Sequence, residues 1–249
     1  MKFVSLPFAE PRGLAFYLAM EEYVARHLLP PLSPLGSPPL TGGQTDCFFT
    51  WQVEPSVIFG RNQVVENEVN VPYCRAQGIK MYRRKSGGGC VYADMDNLML
   101  SYITDGDNVG FAFNKFVNMI LLVLRKAGVT ATGTSHNDIM IGDRKVCGTA
   151  CYHVAGRSIV HSTMLYDTNM AHMLNAITPS HEKLAAKGIE SVRQRITLLK
   201  DHTSLTLEQL KALIRETLCT DERMLPPEEV SAVEALEQTY LREDFIKLL

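Results

Sequence analysis

Cysteine is scarce: six residues, at 47, 74, 90, 147, 151 and 219, serve 249 positions. That is too sparse for a disulfide scaffold and suits a reducing compartment. Long apolar runs are missing as well. The longest, around Ile120 to Leu124, falls far short of the ~20 residues needed to cross a bilayer. Neither sign of charge dominates, with 25 Lys and Arg against 27 Asp and Glu for a net charge of −2. This argues against bulk binding to nucleic acid or to a membrane surface, while leaving a local basic cluster open. No secretion signal fits the start, where Phe-Val-Ser-Leu-Pro follows Met1-Lys2 and Glu10 and Arg12 come soon after. Repeats, heptads and low-complexity tracts are also lacking. What remains is ordinary: 46% hydrophobic and 21% charged residues, as in a globular protein with length enough to bury a core. A cytoplasmic protein is the expectation.

Leu14 to Leu29 carries apolar residues at helical spacing and stops before Pro30-Pro31. Residues 30–44 are rich in Pro and Gly and read as a loop, either a mobile flap or an ordered excursion. Cys47 to Phe59 reads as two strands broken at Glu54-Pro55, Val71 to Gln77 as a short helix, and Asn97 to Thr104 as a strand. Phe111 to Ala127 is the clearest helix, with Gly128 as its C-terminal cap. Hairpin signals fall at Gly142-Asp143 and Ala155-Gly156. Thr206 and Gln209 form a capping box, and a last helix follows Pro226-Pro227. Strands in antiparallel-looking groups, without strict β-α-β alternation, predict an α+β fold.

The stretch Tyr82-Arg-Arg-Lys-Ser-Gly-Gly-Gly-Cys-Val-Tyr-Ala-Asp94 holds more glycine than a tight turn requires. It is neither a Walker A loop nor a dinucleotide fingerprint. Consecutive glycines let a backbone approach a flat or anionic group and aim N–H groups at it. Arg83, Arg84 and Lys85 add positive charge beside it. A glycine-rich hairpin with solvated basic residues is the plainer reading of the same stretch.

Two further segments bear on this: Ser135-His-Asn-Asp-Ile-Met-Ile-Gly-Asp-Arg-Lys-Val-Cys-Gly-Thr-Ala150, and Gly156 to Asp167 trailed by Lys187-Gly-Ile-Glu-Ser-Val-Arg-Gln-Arg195. With Gly60-Arg-Asn-Gln63 and the Met20-Glu-Glu-Tyr23 helix, these ordered motifs resemble the lipoate–protein ligase and lipoyltransferase family, over roughly residues 10–245. Taken singly the residues say less. Lys145 beside Gly142-Asp143-Arg144 reads as a solvated hairpin lysine, His161 as a core histidine, Asp138 as an Asx turn, and Arg193 and Arg195 as an exposed strand face.

The resemblance implies the fold of a biotin/lipoate ligase catalytic domain, akin to class II synthetases: a mixed, mostly antiparallel sheet flanked by helices. It implies that lipoate and ATP, with Mg²⁺, form lipoyl-AMP. The lipoyl group then passes to a lysine of an acceptor, the lipoyl domain of a 2-oxoacid dehydrogenase E2 subunit or the glycine cleavage H protein. Carried onto this chain, Ser86, Gly87, Gly88 and Gly89 line the tail and phosphate and Arg84 holds nucleotide. Cys90, Val91 and Tyr92 run their backbone along the nucleotide. Lys145 bridges carbonyl and phosphate oxygens as the catalytic cation. Asn137 and Asp138 hold the adenine side, with Asp138 also a ligand to Mg²⁺. Gly148, Thr149, Ala150, His161 and Thr163 complete the ligand contacts.

This chain departs from the family pattern in places. Ala93 stands where His is usual, Ser162 where Gly is usual (adding a side chain near the tail slot), and Cys151 where Gln is common. Cys147 and Cys151 share one strand face by spacing. They read first as paired core cysteines; the resemblance to octanoyltransferases keeps open a cysteine-dependent octanoyl or lipoyl transferase using a thioester, and Ala93 an inactive lipoate- or adenylate-binding relative. Residues 1–225 are expected to form the catalytic domain and 226–249 a helical tail, without the small C-terminal accessory domain of many members. An accessory protein for activation is the corresponding expectation.

Overall fold

The structure, a computed structural model, describes residues 1–29, 46–134, 138–178 and 195–247. The 30–44 loop, Asn137, Arg193 and most of the Lys187–Arg195 motif lie outside these residues. Strand β1 (Lys2–Ser5) is followed by α1 (Leu14–Tyr23), which ends in a π-helical turn at Val24–Leu28. The expected 14–29 helix is therefore one helix with a widened last turn. Strands β2 (Cys47–Trp51) and β3 (Ser56–Phe59) flank Glu54-Pro55; short helices α2 (Val65–Glu68) and α3 (Val71–Ala76) lead to β4 (Lys80–Arg83). Beyond the glycines come β5 (Val91–Ala93), β6 (Leu98–Asp105) and α4 (Val109–Lys126). Then follow β7 (Thr132–Gly133), β8 (Asp138–Ile141), β9 (Arg144–Val154), β10 (Arg157–Met164) and α5 (Met170–Ala176). The chain continues through α6 (Leu207–Leu218), β11 (Asp221–Met224), α7 (Pro227–Leu241) and α8 (Glu243–Lys247).

Local chemistry explains the boundaries. The Asn108 carboxamide oxygen accepts from Phe111 N–H and starts α4. Gly128, at φ +77°, ends it while Val129 N–H bonds back to Leu124 O at 2.8 Å. Thr206 and Gln209 cap α6 reciprocally. Ala155 and Gly156 both take positive φ (52° and 72°), the geometry a two-residue hairpin needs between β9 and β10.

An eight-stranded sheet runs β11-β1-β2-β6-β10-β9-β8-β7, parallel across β11-β1-β2 and antiparallel beyond. A three-stranded sheet runs β4-β3-β5. The two strands around Glu54-Pro55 thus enter different sheets. Strands β4 and β5 do not pair, because β3 lies between them, parallel to β4 and antiparallel to β5. The hairpin reading of the glycine stretch is excluded: the loop crosses two inter-strand gaps, roughly 9–10 Å. Helices on both faces make the fold α+β.

Both faces of the large sheet are covered, so β6 reads as a continuous apolar run whose side chains still alternate. Leu98, Leu100 and Tyr102 pack toward α4 and α6; Met99 and Ile103 pack toward α1 and α7. Val230, Val233 and Tyr240 of α7 belong to the same buried cluster as Leu14 and Met20 of α1. Strand β11 was not visible in the sequence, since Asp-Glu-Arg-Met lacks strand patterning. Its place at the sheet edge, mostly exposed, accounts for its charge.

Candidate active site

The glycine loop is built from the inside. Arg83, 1% exposed, donates through Nη1 to the carbonyls of Gly60, Arg61 and Gln63 at 2.8–3.2 Å, and its guanidinium lies 4.8 Å from the Phe59 ring centre. Arg61 N–H in turn bonds to Ser86 O at 2.9 Å. The Gly60-Arg-Asn-Gln63 motif is therefore the cradle on which the loop rests. A Cβ on Gly60 would come 2.4 Å from Gly88 O, and Gly88 itself takes φ +90°, so both positions require glycine.

Arg84 also faces inward. Its guanidinium donates to Ile58 O, Gly87 O, Gly89 O and Ser86 Oγ at 2.6–3.2 Å. Burial lowers its pKa to about 10, which leaves it charged at neutral pH. Arg84 thus fixes the shape of the loop. Lys85 instead leaves the loop to meet Glu22 Oε2 at 2.5 Å and the face of Tyr240 at 4.7 Å. Tyr240 O–H donates to the same carboxylate oxygen at 3.0 Å, tying α1, the loop and α7 together.

A second buried network joins the loop to the large sheet. Ser86 Oγ lies 2.7 Å from His161 Nε2, and His161 Nδ1 lies 2.9 Å from Glu21 Oε2. Ser101 Oγ donates to Glu21 Oε1 at 2.6 Å and accepts from Trp51 Nε1 at 2.8 Å. Glu21, Ser86 and Ser101 are fully buried, and these bonds satisfy the Glu21 carboxylate in that setting.

Between the two sheets opens a cavity of about 630 Å³, within the range of small-molecule sites. One end is apolar, with Leu18, Trp51, Ile58 and Met99; Gly88, Gly89, Cys90 and Val91 form its roof. The far wall carries Thr134, Asp138, Lys145, Gly148, Thr149, Ala150, His161, Thr163 and Arg195. Lys145 Nζ lies 2.7 Å from Asp138 Oδ1, and Arg195 Nη2 lies 2.8 Å from Asp138 Oδ2. A Cβ on Gly148 would come 2.5 Å from Lys145 Nζ, so the lysine crosses the strand only because residue 148 is glycine. Counting Arg84, the described wall carries three cationic side chains against one carboxylate, a setting for an anion beside an apolar slot.

Most of the expected site residues meet at this cavity, some in other roles. Ser86 and Tyr92 are fully buried behind the wall, Tyr92 in the cluster around the small sheet. Gly87 turns its carbonyl onto Arg84. Ser162, expected beside the tail slot, does border the cavity, but β10 alternates, sending Val160 and Met164 toward α4 and Ile159 toward α1, which gives the Ser162 side chain the α4 side. Cys147 is buried on that side and Cys151 packs against the same cluster. Burial pushes both thiols up to about 12, the charge of Glu21 adding to the effect at Cys151. The attacking species of a thioester mechanism is the thiolate, and neither position favours it. Sequence reasoning missed Glu21, Ser101, Trp51 and Arg195. Two glutamates inside the otherwise apolar stretch Leu14 to Ala25 were the available signal for Glu21.

The chain belongs to the lipoyl protein ligase A/B catalytic domain family, whose model matches residues 14–219. It is 36% identical to lipoate–protein ligase 1 of Staphylococcus aureus over 81% of its own length and 58% of that protein's. With a lipoate-protein ligase of Bacillus subtilis it shares 34% identity over 82% and 59% of the two lengths. The chain thus spans about three-fifths of these curated relatives. Two solved structures share its fold at 24% identity. One, from Thermoplasma acidophilum, is a bi-partite lipoate protein ligase studied with its E2 lipoyl domain (TM-score 0.82, 100% of this chain and 96% of that one). The other is a lipoate-protein ligase A bound with ATP (TM-score 0.80, 100% of both chains).

Proposed function

We propose that this protein is a lipoate–protein ligase: it activates lipoate with ATP to lipoyl-AMP and transfers the lipoyl group to an acceptor lysine. The observation that carries the reading is Lys145, held between Asp138 and Gly148 where the apolar slot meets the cationic wall. The tail lies among Leu18, Trp51, Ile58 and Met99. The acyl phosphate lies beneath Gly88 and Gly89, whose approach needs bare backbone. In activation, a carboxylate oxygen of lipoate attacks the α-phosphorus of ATP, and pyrophosphate leaves with the electron pair of the broken P–O bond. In transfer, the neutral amine of the acceptor attacks the acyl carbon, the C–O bond to phosphate breaks, AMP departs, and the amine loses one proton to solvent. Lys145 stabilises the charge that gathers on the carbonyl and phosphate oxygens in both steps.

Asn137, Asp138, Thr149, Ala150 and Thr163 belong to the nucleotide and acyl contacts in this reading. The donor set suits Mg²⁺ arriving with ATP: a single carboxylate, Asp138, beside the phosphates is the usual protein share of such a site. The ion supplies charge neutralisation of the triphosphate when bound. The catalytic unit comprises residues 1–225, with Val230, Val233 and Tyr240 of the following helix closing its core. The acceptors are lipoyl domains of 2-oxoacid dehydrogenase E2 subunits and the glycine cleavage H protein. A separate accessory protein assists activation, a reading supported by the bi-partite relative. The reaction belongs in the cytoplasm, where ATP is at hand and all six cysteines stay free, as they are here.

Two assays test this: pyrophosphate release from ATP plus lipoate, and mass spectrometry of a lipoyl domain after incubation with synthetic lipoyl-adenylate. Transfer from the adenylate is expected to be faster than activation by the chain alone, because one joined ligand needs less orienting than two. No transfer from the adenylate, with folded protein and acceptor, would overturn the proposal.

A further inference from the structure

Arg195 stands on the cavity wall, where the one carboxylate among the described lining residues is Asp138, which it shares with Lys145. One carboxylate cannot neutralise two cations, so the trio carries a surplus positive charge. Asp138 uses one oxygen on each partner, the arrangement in which a phosphate would use two of its own. The two cations differ in kind: Lys145 is a point charge, whereas the planar fork of Arg195 grips two oxygens at once. Arg84, another cation on the wall, is engaged by three acceptors of its own loop and by Ile58 O of β3.

We propose that Arg195 is a second catalytic cation, binding the phosphoryl oxygens of the adenylate together with Lys145, and that Asp138 is the counter-ion that keeps the two cations in position until a phosphate takes them over, which frees its carboxylate for the nucleotide and the Mg²⁺ that arrives with ATP. This deepens the ligase reading and rests on it. When the acyl C–O bond breaks and AMP leaves with the electron pair, the new negative charge falls on the phosphate that Arg195 holds. In the empty site the carboxylate prevents the two like charges from repelling each other out of register.

Trp51 is the single tryptophan of the chain and lines the cavity, so its fluorescence reports binding without any turnover. With AMP as probe and EDTA present to exclude metal, Arg195→Ala is expected to weaken binding at least tenfold, Arg195→Lys less, while Asp138→Asn binds as tightly as wild type or tighter. A merely structural ion pair predicts the opposite for Asp138→Asn, which would then weaken binding as Arg195→Ala does. That result, or AMP affinity in Arg195→Ala within twofold of wild type, overturns the proposal, as does a wild type that binds no AMP. Transfer from synthetic lipoyl-adenylate is measured beside it. Wild type that binds AMP but transfers nothing refutes the ligase reading, and the binding series still decides the role of Arg195.

Discussion

His161 Nε2 and Ser86 Oγ stand 2.7 Å apart, a bond that fastens the loop between β4 and β5 to a central strand of the other sheet. With Glu21 behind His161, the two walls of the cavity are held at a fixed separation by buried side chains.

Glu21→Ala strands Ser101 O–H and His161 Nδ1 in a dry setting, at roughly 1–3 kcal/mol for each unsatisfied group. Chemical denaturation should show a loss of that order with an unchanged slope. Glu21→Ala as stable as wild type would mean that the network contributes nothing to the fold.

Lys145→Ala should reduce transfer from lipoyl-adenylate by roughly 10²–10³-fold, the usual result of removing one preorganised electrostatic donor. The protein should still fold, since the side chain is a quarter exposed (24%). Single-turnover acyl transfer is the measurement, and near-normal transfer would remove Lys145 from the mechanism.

Gly148→Ala should cost activity and spare the fold. The added methyl meets Lys145 Nζ and Cε at 2.5 and 2.6 Å, the far end of a flexible chain that can swing aside. Transfer is expected to approach the Lys145→Ala level with a melting temperature close to wild type. Loss of fold and activity together would argue against this selective displacement.

The thiols offer a sharp contrast with a thioester enzyme. With Cys147 and Cys151 held near 12 by burial, Cys151→Ala and Cys147→Ala should keep transfer activity. Incubation with octanoyl carrier protein should leave no acyl adduct on either cysteine by mass spectrometry.

Burial alone would raise the Glu22 pKa, but hydrogen bonds from Lys85 and Arg26, with further help from Tyr240, bring it below the ordinary glutamate value. A lowered carboxyl pKa stabilises the fold fully above the unfolded value, roughly 4.3, and that stability is lost as pH falls through the folded pKa. Thermal melts across that range should fall more steeply for wild type than for Lys85→Met. Parallel curves would detach Glu22 from acid stability.

Much of this was legible in the sequence. Helix α4, the capping box at Thr206 and the two hairpins follow from local chemistry, and motif order led to the glycine loop, Lys145 and Asp138. What stayed hidden was long-range. Nothing near Arg84 says that its guanidinium closes on its own loop, because the acceptors at Ile58 and Gly89 meet it only after β3 slides between β4 and β5. Arg195 looked like one face of an exposed strand until Asp138, far away in sequence, came beside it. Strand β11 pairs with β1 despite a charged sequence, since an edge needs only backbone partners.

Strand β1 lies between β2 and β11, and Tyr240 sits beneath Lys85 of the glycine loop. A ribosome delivers residue 2 long before residue 221, and residue 85 long before residue 240. During synthesis the first strand therefore waits with one edge open, and the loop waits without the ring that steadies its lysine. Pairings this distant are slow to form and leave apolar surface uncovered meanwhile. The ligand cavity takes its final shape only after residue 240 has been made, so a shorter nascent chain has no finished site to load.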